Sequence, residues 1–301
     1  MEHLLVSIFG PYMEMIAPII PGEFFPYFFT MEMFQRSLIA SILVTITACL
    51  MGSFLLLRNL ALIGDGLAHV SFGGIAIAIA MGSTAPLWYA LFFSVISSVI
   101  IYELQSREIL SGDASIAIFL TGMLGLGLVV LRIWGGGITT DIEGYMFGSL
   151  LLVDNQSLNL IIIIFVITLI SIFALYRGLL AISLDPVSAE VQGLPVRYMG
   201  LWFSILTALV VVSMVKITGT LLATALLVTP AATAQQISRS FKASIIWTQI
   251  FGLITLFLGL YFSAEKSTGS GIALMSVIIF AAVAITAQVY KNYFQGPNSA
   301  K

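Results

Sequence analysis

Asp65 and His69 stand four residues apart in the stretch LIGDGLAHVSFGGIAIAIAMG, residues 62–82, most of which would dissolve in hydrocarbon. On a helix, residues four apart lie one above the other, so the carboxylate and the imidazole share a face. An ionised carboxylate at the centre of a bilayer costs at least about 3 kcal/mol, so the pair must look into the bundle interior or a water-filled route. Two chemistries suit it: an ion-pairing proton relay, or ligation of a borderline divalent cation by imidazole nitrogen and carboxylate oxygen. A buried Asp–His bond that fixes helix packing, or a pair at the membrane interface, would account for the same spacing. Arg58, seven residues before Asp65, continues the face if the helix starts early.

The only other histidine is His3, so one copy of the chain offers two ligands and no histidine cage. A second copy would bring another Asp65 and His69, giving four ligands around a two-fold axis. Met51, Met81, Met123, Met146, Met214 and Met275 could assist a soft metal, although their chemistry favours flexible packing. Cys49 is the only cysteine, which rules out an intramolecular disulfide and a thiolate cage and leaves it as a small packing residue.

The elements that carry these residues are transmembrane helices. Of 301 residues, 59% are hydrophobic and 9% charged, and the mean hydropathy is +1.09. A soluble domain would carry about 25% charged residues. Apolar runs of about 20 residues recur without the alternation of a transmembrane barrel, so the fold class is all-α, a polytopic helical bundle in a cell membrane. Nine spans are expected, at 33–57, 61–82, 86–104, 115–133, 156–176, 200–217, 219–237, 243–263 and 271–290. Residues 1–30, with Glu2, Glu14 and Glu23 in place of a basic leader and an aromatic PGEFFPYFF, read as an interfacial segment. Residues 31–291 form a single transmembrane domain, and the polar stretch 292–301 reads as a disordered tail. The net charge of −2 and the lack of a basic patch give no footing for nucleic acid.

Positive charge orients the bundle. One set of connectors holds Arg58, Arg107, Arg177, Arg197, Arg239, Lys242 and Lys291; the other holds Arg36, Arg132, Lys216 and Lys266. The richer set is expected in the cytoplasm. Of the two longest connectors, 134–155 falls outside, and its DIEGYMFGSLL suggests a short helix at the mouth of the bundle. The other, 177–199, falls inside. There Asp185-Pro186 reads as an N-cap followed by a first-turn proline, and Gly193-Leu194-Pro195 as a stop, which predicts a short amphipathic helix over 186–192. The seventh span, GTLLATALLVTPAATAQQ, is interrupted by Pro230, whose freed backbone groups its threonines could satisfy. Such interrupted helices often border a translocation route. No G-x-x-x-x-G-K-S/T occurs, so the chain does not hold ATP in a P-loop, and neither H-E-x-x-H nor G-x-S-x-G points to a membrane enzyme.

The run LLLRNLALIGDGLAHVSFGGIAIA resembles the signature of permeases of zinc- and manganese-type ABC importers, the ZnuB/MntB family. The resemblance continues through DIEGYMFGSLL, LDPVSAEVQGLPVRYMG and VKITGTLLATALLVTPAATAQQ, and covers roughly residues 33–290 in order. It implies a type II importer permease of a prokaryotic cytoplasmic membrane, paired as a homodimer. Its implied partners are cytoplasmic ABC ATPase subunits and an extracytoplasmic metal-binding protein. ATP hydrolysis would lie in the partner chain, with no tightly bound cofactor in this one. Asp65 and His69 match the family's intramembrane metal-coordinating pair, and the loop with Asp185, Pro186, Ala189, Glu190 and Gly193 matches its ATPase-coupling helix. Gly73 replaces a proline and Ala68 a serine common in the family, departures that keep both ligands and weaken the expectation of a sharp kink after His69.

The expected function is thus inward passage of zinc, manganese or iron(II), delivered near 134–155 and ligated in transit by Asp65 and His69. Ligation demands a neutral imidazole, so uptake weakens where His69 protonates. An importer permease for iron–siderophore or cobalamin would leave the acidic–imidazole pair unexplained. An ion-coupled secondary carrier is the alternative from another class, and it would transport without an ATPase.

Overall fold

The computed structural model describes residues 10–22, 24–134, 140–149, 153–263 and 268–294. His3, Glu2, Glu23, the glycines of 135–137, Lys266 and residues 295–301 lie outside these. Among the described residues there is no strand, and eight helices are long and apolar enough to cross a membrane. They are α1 (Glu32–Leu57), α2 (Ile63–Ala80), α3 (Pro86–Ser106), α4 (Gly112–Ile133), α6 (Asn155–Leu184), α8 (Val196–Thr218), α11 (Phe241–Ser263) and α12 (Thr268–Phe294). Four short helices lie between them: α5 (Thr140–Phe147), α7 (Pro186–Val191), α9 (Ala223–Leu227) and α10 (Thr229–Ile237). α12 continues through Phe294, so the first three residues of the expected tail, 292–294, are helical. In the amino-terminal segment, Phe28 and Phe29 of a short helix, Tyr27–Thr30, are buried, and Phe25 meets Tyr261 edge-on.

α1, α2 and α8 are the most enclosed helices, whereas α4 and α12 present most of their surface outward. In lipid there is no hydrophobic drive between helices, so close approach must come from small residues. α2 shows this on three sides. A Cβ on Gly73 would come within 2.8 Å of the Met123 carbonyl of α4, and one on Gly74 within 2.8 Å of the Tyr89 carbonyl of α3. A Cβ on Gly64 would strike the Leu227 side chain of α9. On the α3 side, Ser71 and Ser94 share a hydrogen bond of 2.8 Å. α2 is continuous from Ile63 to Ala80, without a break after His69.

The seventh expected span, 219–237, is not one helix. Gly219 leaves α8 at φ +78°, and the amides of Thr220 and Leu221 donate to the carbonyls of Tyr145 and Met146 in α5, at 3.0 and 3.1 Å. Those bonds take the backbone out of helical pairing before α9 starts. Pro230, buried in the first turn of α10, has no N–H for the Leu226 carbonyl four residues earlier. The partner offered to that carbonyl is Cys49 of α1, whose Sγ lies 3.9 Å away, rather than a threonine. Thr233 instead bonds the Thr229 carbonyl.

Some of the basic residues of the two sets are found at opposite ends of the bundle. At one end Glu103 bridges Arg107 and Arg197, at 2.9 and 2.7 Å, and Arg58 lies over the Phe203 ring. At the other, Arg36 donates to Asn155, and Lys216 reaches Asp154 at 3.3 Å. α6 outruns its expected span by eight residues, so Arg177 belongs to a membrane-length helix and not to a loop, and α8 starts at Val196 rather than at 200. Thirty residues of helix reach about 45 Å, more than the hydrocarbon thickness.

α1 leaves no space for a methyl group at Gly52, where the Leu227 carbonyl lies directly against Cα. Gly52→Ala is therefore expected to lower stability by about 1–3 kcal/mol through overpacking. Gly122→Ala on the open face of α4, where a Cβ meets nothing within 4 Å, should leave it unchanged or raise it slightly. Thermal unfolding of the two purified variants in one detergent checks the contrast.

Candidate functional site

α2 starts at Ile63, so Asp65 falls in its first turn and His69 one turn later. Phe72 and Ala76 continue the same stripe by helical spacing. Arg58 does not: it caps the end of α1, and the chain turns through Asn59 at φ +56° before α2 begins. The early helix start that would have joined the three residues is absent.

The stripe faces the gap between α4, which meets Gly66 and Gly73, and α9, which meets Gly64. His69 is 7% exposed, and Phe72 and Ala76 are fully enclosed. The Asp65 side chain retains 31% of its exposure. Leu131 of α4 and Ile142 of α5 pack with Phe72 and Ala76, so the stripe is closed by apolar side chains beyond His69 and open beside Asp65.

His69 Nε2 stands 4.0 Å from Asp65 Oδ1, too far for a hydrogen bond. His69 Nδ1 is buried and has no hydrogen-bond partner. A buried Asp–His bond that locks the packing is thus not what holds the pair. An orphaned buried nitrogen is costly unless a further group completes it. Two metal–ligand bonds of about 2.1 Å at a tetrahedral angle put their ligand atoms about 3.4 Å apart, so Nε2 and Oδ1 would share a cation after a small side-chain rotation, with Nδ1 left for another acceptor. Among the described residues, no three His, Cys, Asp or Glu side chains group together, so the described part of the chain offers this pair and no third such ligand beside it.

The predicted loop helix is present as α7. The Asp185 carboxylate accepts from the Val187 and Ser188 amides, both at 3.1 Å, and Pro186 occupies the first turn. Gly193 ends the helix at φ +81°, a backbone conformation that favours glycine, and the Leu194 amide closes back on the Ala189 carbonyl. Ala189 is buried and anchors α7 to the bundle, while Glu190, Val187 and Val191 face outward. Hydrogen bonds from the Ser188 hydroxyl and the Ser188 amide hold the Asp185 carboxyl below the usual carboxylate range.

Over residues 30–289, which take in the pair, α7 and the eight long helices except the last five residues of α12, the chain matches the model of the family described as ABC 3 transport family. The chain belongs to the ABC 3 transport family. It is a multi-pass membrane protein of a transport system, not itself an enzyme, and neither the ion-coupled carrier nor the iron–siderophore permease gains support. A manganese transport system membrane protein, MntC of Listeria innocua serovar 6a, is 33% identical over 250 residues, 82% of this chain and 88% of that one. The manganese import system permease protein ScaB of Streptococcus gordonii is 31% identical over 248 residues, 82% of this chain and 88% of that one. Among solved structures, PsaBC from Streptococcus pneumoniae in complex with Fab matches with a TM-score of 0.76 and 28% identity, over 88% of this chain and 96% of that one.

One charged residue of this family member sits where the sequence pattern does not put it. The charge pattern places Lys216 in an outer connector, yet it is buried in the last turn of α8, bonded to Asp154 and 5.7 Å from the Tyr145 ring. Arg58 lies in the connector between α1 and α2, where the charge pattern puts it. A lone lysine in the apolar run VVVSMVKITG is the available signal for the burial of Lys216.

The Asp185 cap makes α7 acid-sensitive with a definite sign. A carboxyl held below its ordinary value contributes stability that is complete above the unfolded range, about 3.9, and is lost as pH falls through the depressed value. Hydrogen exchange of the Val187 and Ser188 amides should therefore accelerate in Asp185→Ala at neutral pH and stay slow in Asp185→Asn, which retains the capping oxygen.

Proposed function

We propose that this chain is the permease subunit of an ABC importer that carries a divalent transition metal into the cytoplasm, with manganese as the cargo. The observation that supports it most directly is the His69–Asp65 pair: a buried imidazole with an unpartnered nitrogen, one turn from a partly exposed carboxylate, on an otherwise apolar stripe. Nitrogen and oxygen ligands suit manganese, iron(II) and zinc alike. The relatives named for manganese transport favour manganese, and zinc gains nothing from them.

The remaining assignments follow from what the chain lacks and exposes. Two ligands hold a cation weakly, as a transit point requires, and a second protomer supplies the matching Asp65 and His69. The homodimer is thus part of the proposal. α7, capped by Asp185 and Pro186 and ended at Gly193, presents Val187, Glu190 and Val191 to a cytoplasmic ATPase subunit. An extracytoplasmic metal-binding protein delivers the cargo at the opposite end, where α5 lies. Pro230 breaks the helix that borders the Asp65 side of the stripe, through Leu227 against Gly64. Opening toward α5 requires Phe72, Leu131 and Ile142 to separate.

Asp65→Ala and His69→Ala should each abolish manganese uptake in proteoliposomes that contain the permease with its ATPase, while the complex still assembles on size exclusion. Uptake at the wild-type rate in both variants would sink the site. Uptake by this chain without any ATPase would sink the importer reading.

A further inference from the structure

At the Arg58 end, a cavity of about 320 Å³ lies between α1, α2, α3, α7 and α8. Leu55, Ile63 and Phe203 form apolar walls, and Arg58, Tyr102 and Gln105 supply the polar ones. The polar side chains other than arginine are already committed. The Tyr102 hydroxyl donates to the Arg197 carbonyl at 3.0 Å, Gln105 donates to the Gly112 carbonyl at 3.3 Å, and Ser204 donates to the Ser98 carbonyl at 2.9 Å. Arg58 is different. Its guanidinium lies 4.9 Å from the centre of the Phe203 ring, and among the described residues no side chain or carbonyl accepts a hydrogen bond from it.

A cation at the carboxyl end of α1 suits the helix dipole, but the dipole provides no acceptor for five N–H donors. A guanidinium set into a partly apolar cavity calls for an anion of matching fork geometry, such as a phosphate. The cavity shares Tyr102, Ser106 and Val196 with a recess that runs out past Arg107, Glu190 and Arg197; Glu103 already pairs both of those arginines, so Arg58 is the cation left for an anion that enters. It also sits where α1 and α3 end and α2 and α8 begin, at the ends of membrane-length helices. Basic pockets between helices at this level take phospholipid headgroups.

We propose that this cavity is a headgroup site for an anionic phospholipid, in which Arg58 holds the phosphodiester and Leu55, Ile63 and Phe203 enclose the glycerol and first acyl carbons. The site is separate from the Asp65–His69 stripe and stands whether or not that stripe carries metal.

Native mass spectrometry of the delipidated full chain, titrated with phosphatidylglycerol, tests it. The wild type should retain one phosphatidylglycerol per chain more firmly than the rest, and Arg58→Gln should weaken that binding about tenfold, with Arg58→Lys intermediate. Equal retention by wild type and Arg58→Gln would overturn the proposal. Displacement of the lipid by millimolar inorganic phosphate would overturn the lipid source and leave a free-anion site. Should Arg58→Gln keep its lipid yet lose capture of the ATPase subunit, the cavity receives a partner carboxylate and the proposal falls. Photoactivatable phosphatidylglycerol on the wild-type chain gives a reading that needs no variant: labelling is expected within 55–63, 102–106 and 196–207, and labelling confined elsewhere would overturn the site.

Discussion

Leu227 makes two contacts that the bundle is arranged around. Its carbonyl rests on Gly52 of α1, and its side chain fills the space beside Gly64 of α2, one residue before Asp65. Both contacts trace to the hydrocarbon environment, which gives a broken helix no water to satisfy its backbone. Pro230 interrupts the pairing, α5 takes the amides before α9, and α1 must come close enough for Cys49 to meet the Leu226 carbonyl. Gly252 of α11 makes that possible, since a Cβ there would strike the Cys49 sulfur. The helix break, the small residues of α1 and the placement of Asp65 are therefore one problem with one solution.

The rest of the bundle follows from the same shortage of driving force between helices. Small residues bring α2 within backbone reach of α3 and α4, and charged groups are kept to the two ends. Lys216 is a charged group at one end that is nonetheless buried. Buried in the last turn of α8, its ammonium is held by the Asp154 carboxylate and the Tyr145 ring. Asp154 itself, at the N-cap of α6, is pushed up by burial, but hydrogen bonds from Ser157 and the Lys216 charge outweigh that and hold it below the usual carboxylate range. Three elements, α5, α6 and α8, are thereby joined at the end opposite Arg58.

Apolar run length made the long helices legible, because the membrane imposes it directly. The Asp185-Pro186 and Gly193 signals located α7 because capping is a local interaction written in adjacent residues. What could not be read was nonlocal. The unwinding at 219–222 depends on bonds to Tyr145 and Met146, more than 70 residues earlier. The separation of Arg58 from the Asp65 stripe depends on where one helix ends and the next begins, which periodicity leaves open by several residues. Asp65 and His69 were found from spacing and cost, but the absence of a bond between them, which favours ligation over packing, is a distance and not a pattern.

The extension of α6 through Leu184 alters how α7 can work. Had 177–184 been a loop, a push on α7 would have been absorbed before reaching the bundle. Instead α7 follows α6 after the single residue Asp185, whose side chain caps α7 and whose amide closes the last turn of α6 on the Ala181 carbonyl. Ala189 is buried against the bundle, and Leu179 and Ile182 fix the end of α6 in the core. Four residues later α8 begins, and it runs past the Arg58 cavity to Lys216 at the far end. A displacement of α7 therefore has two rigid helices to act on, one of which ends in the backbone bonds that unwind 219–222 beside the Asp65 stripe.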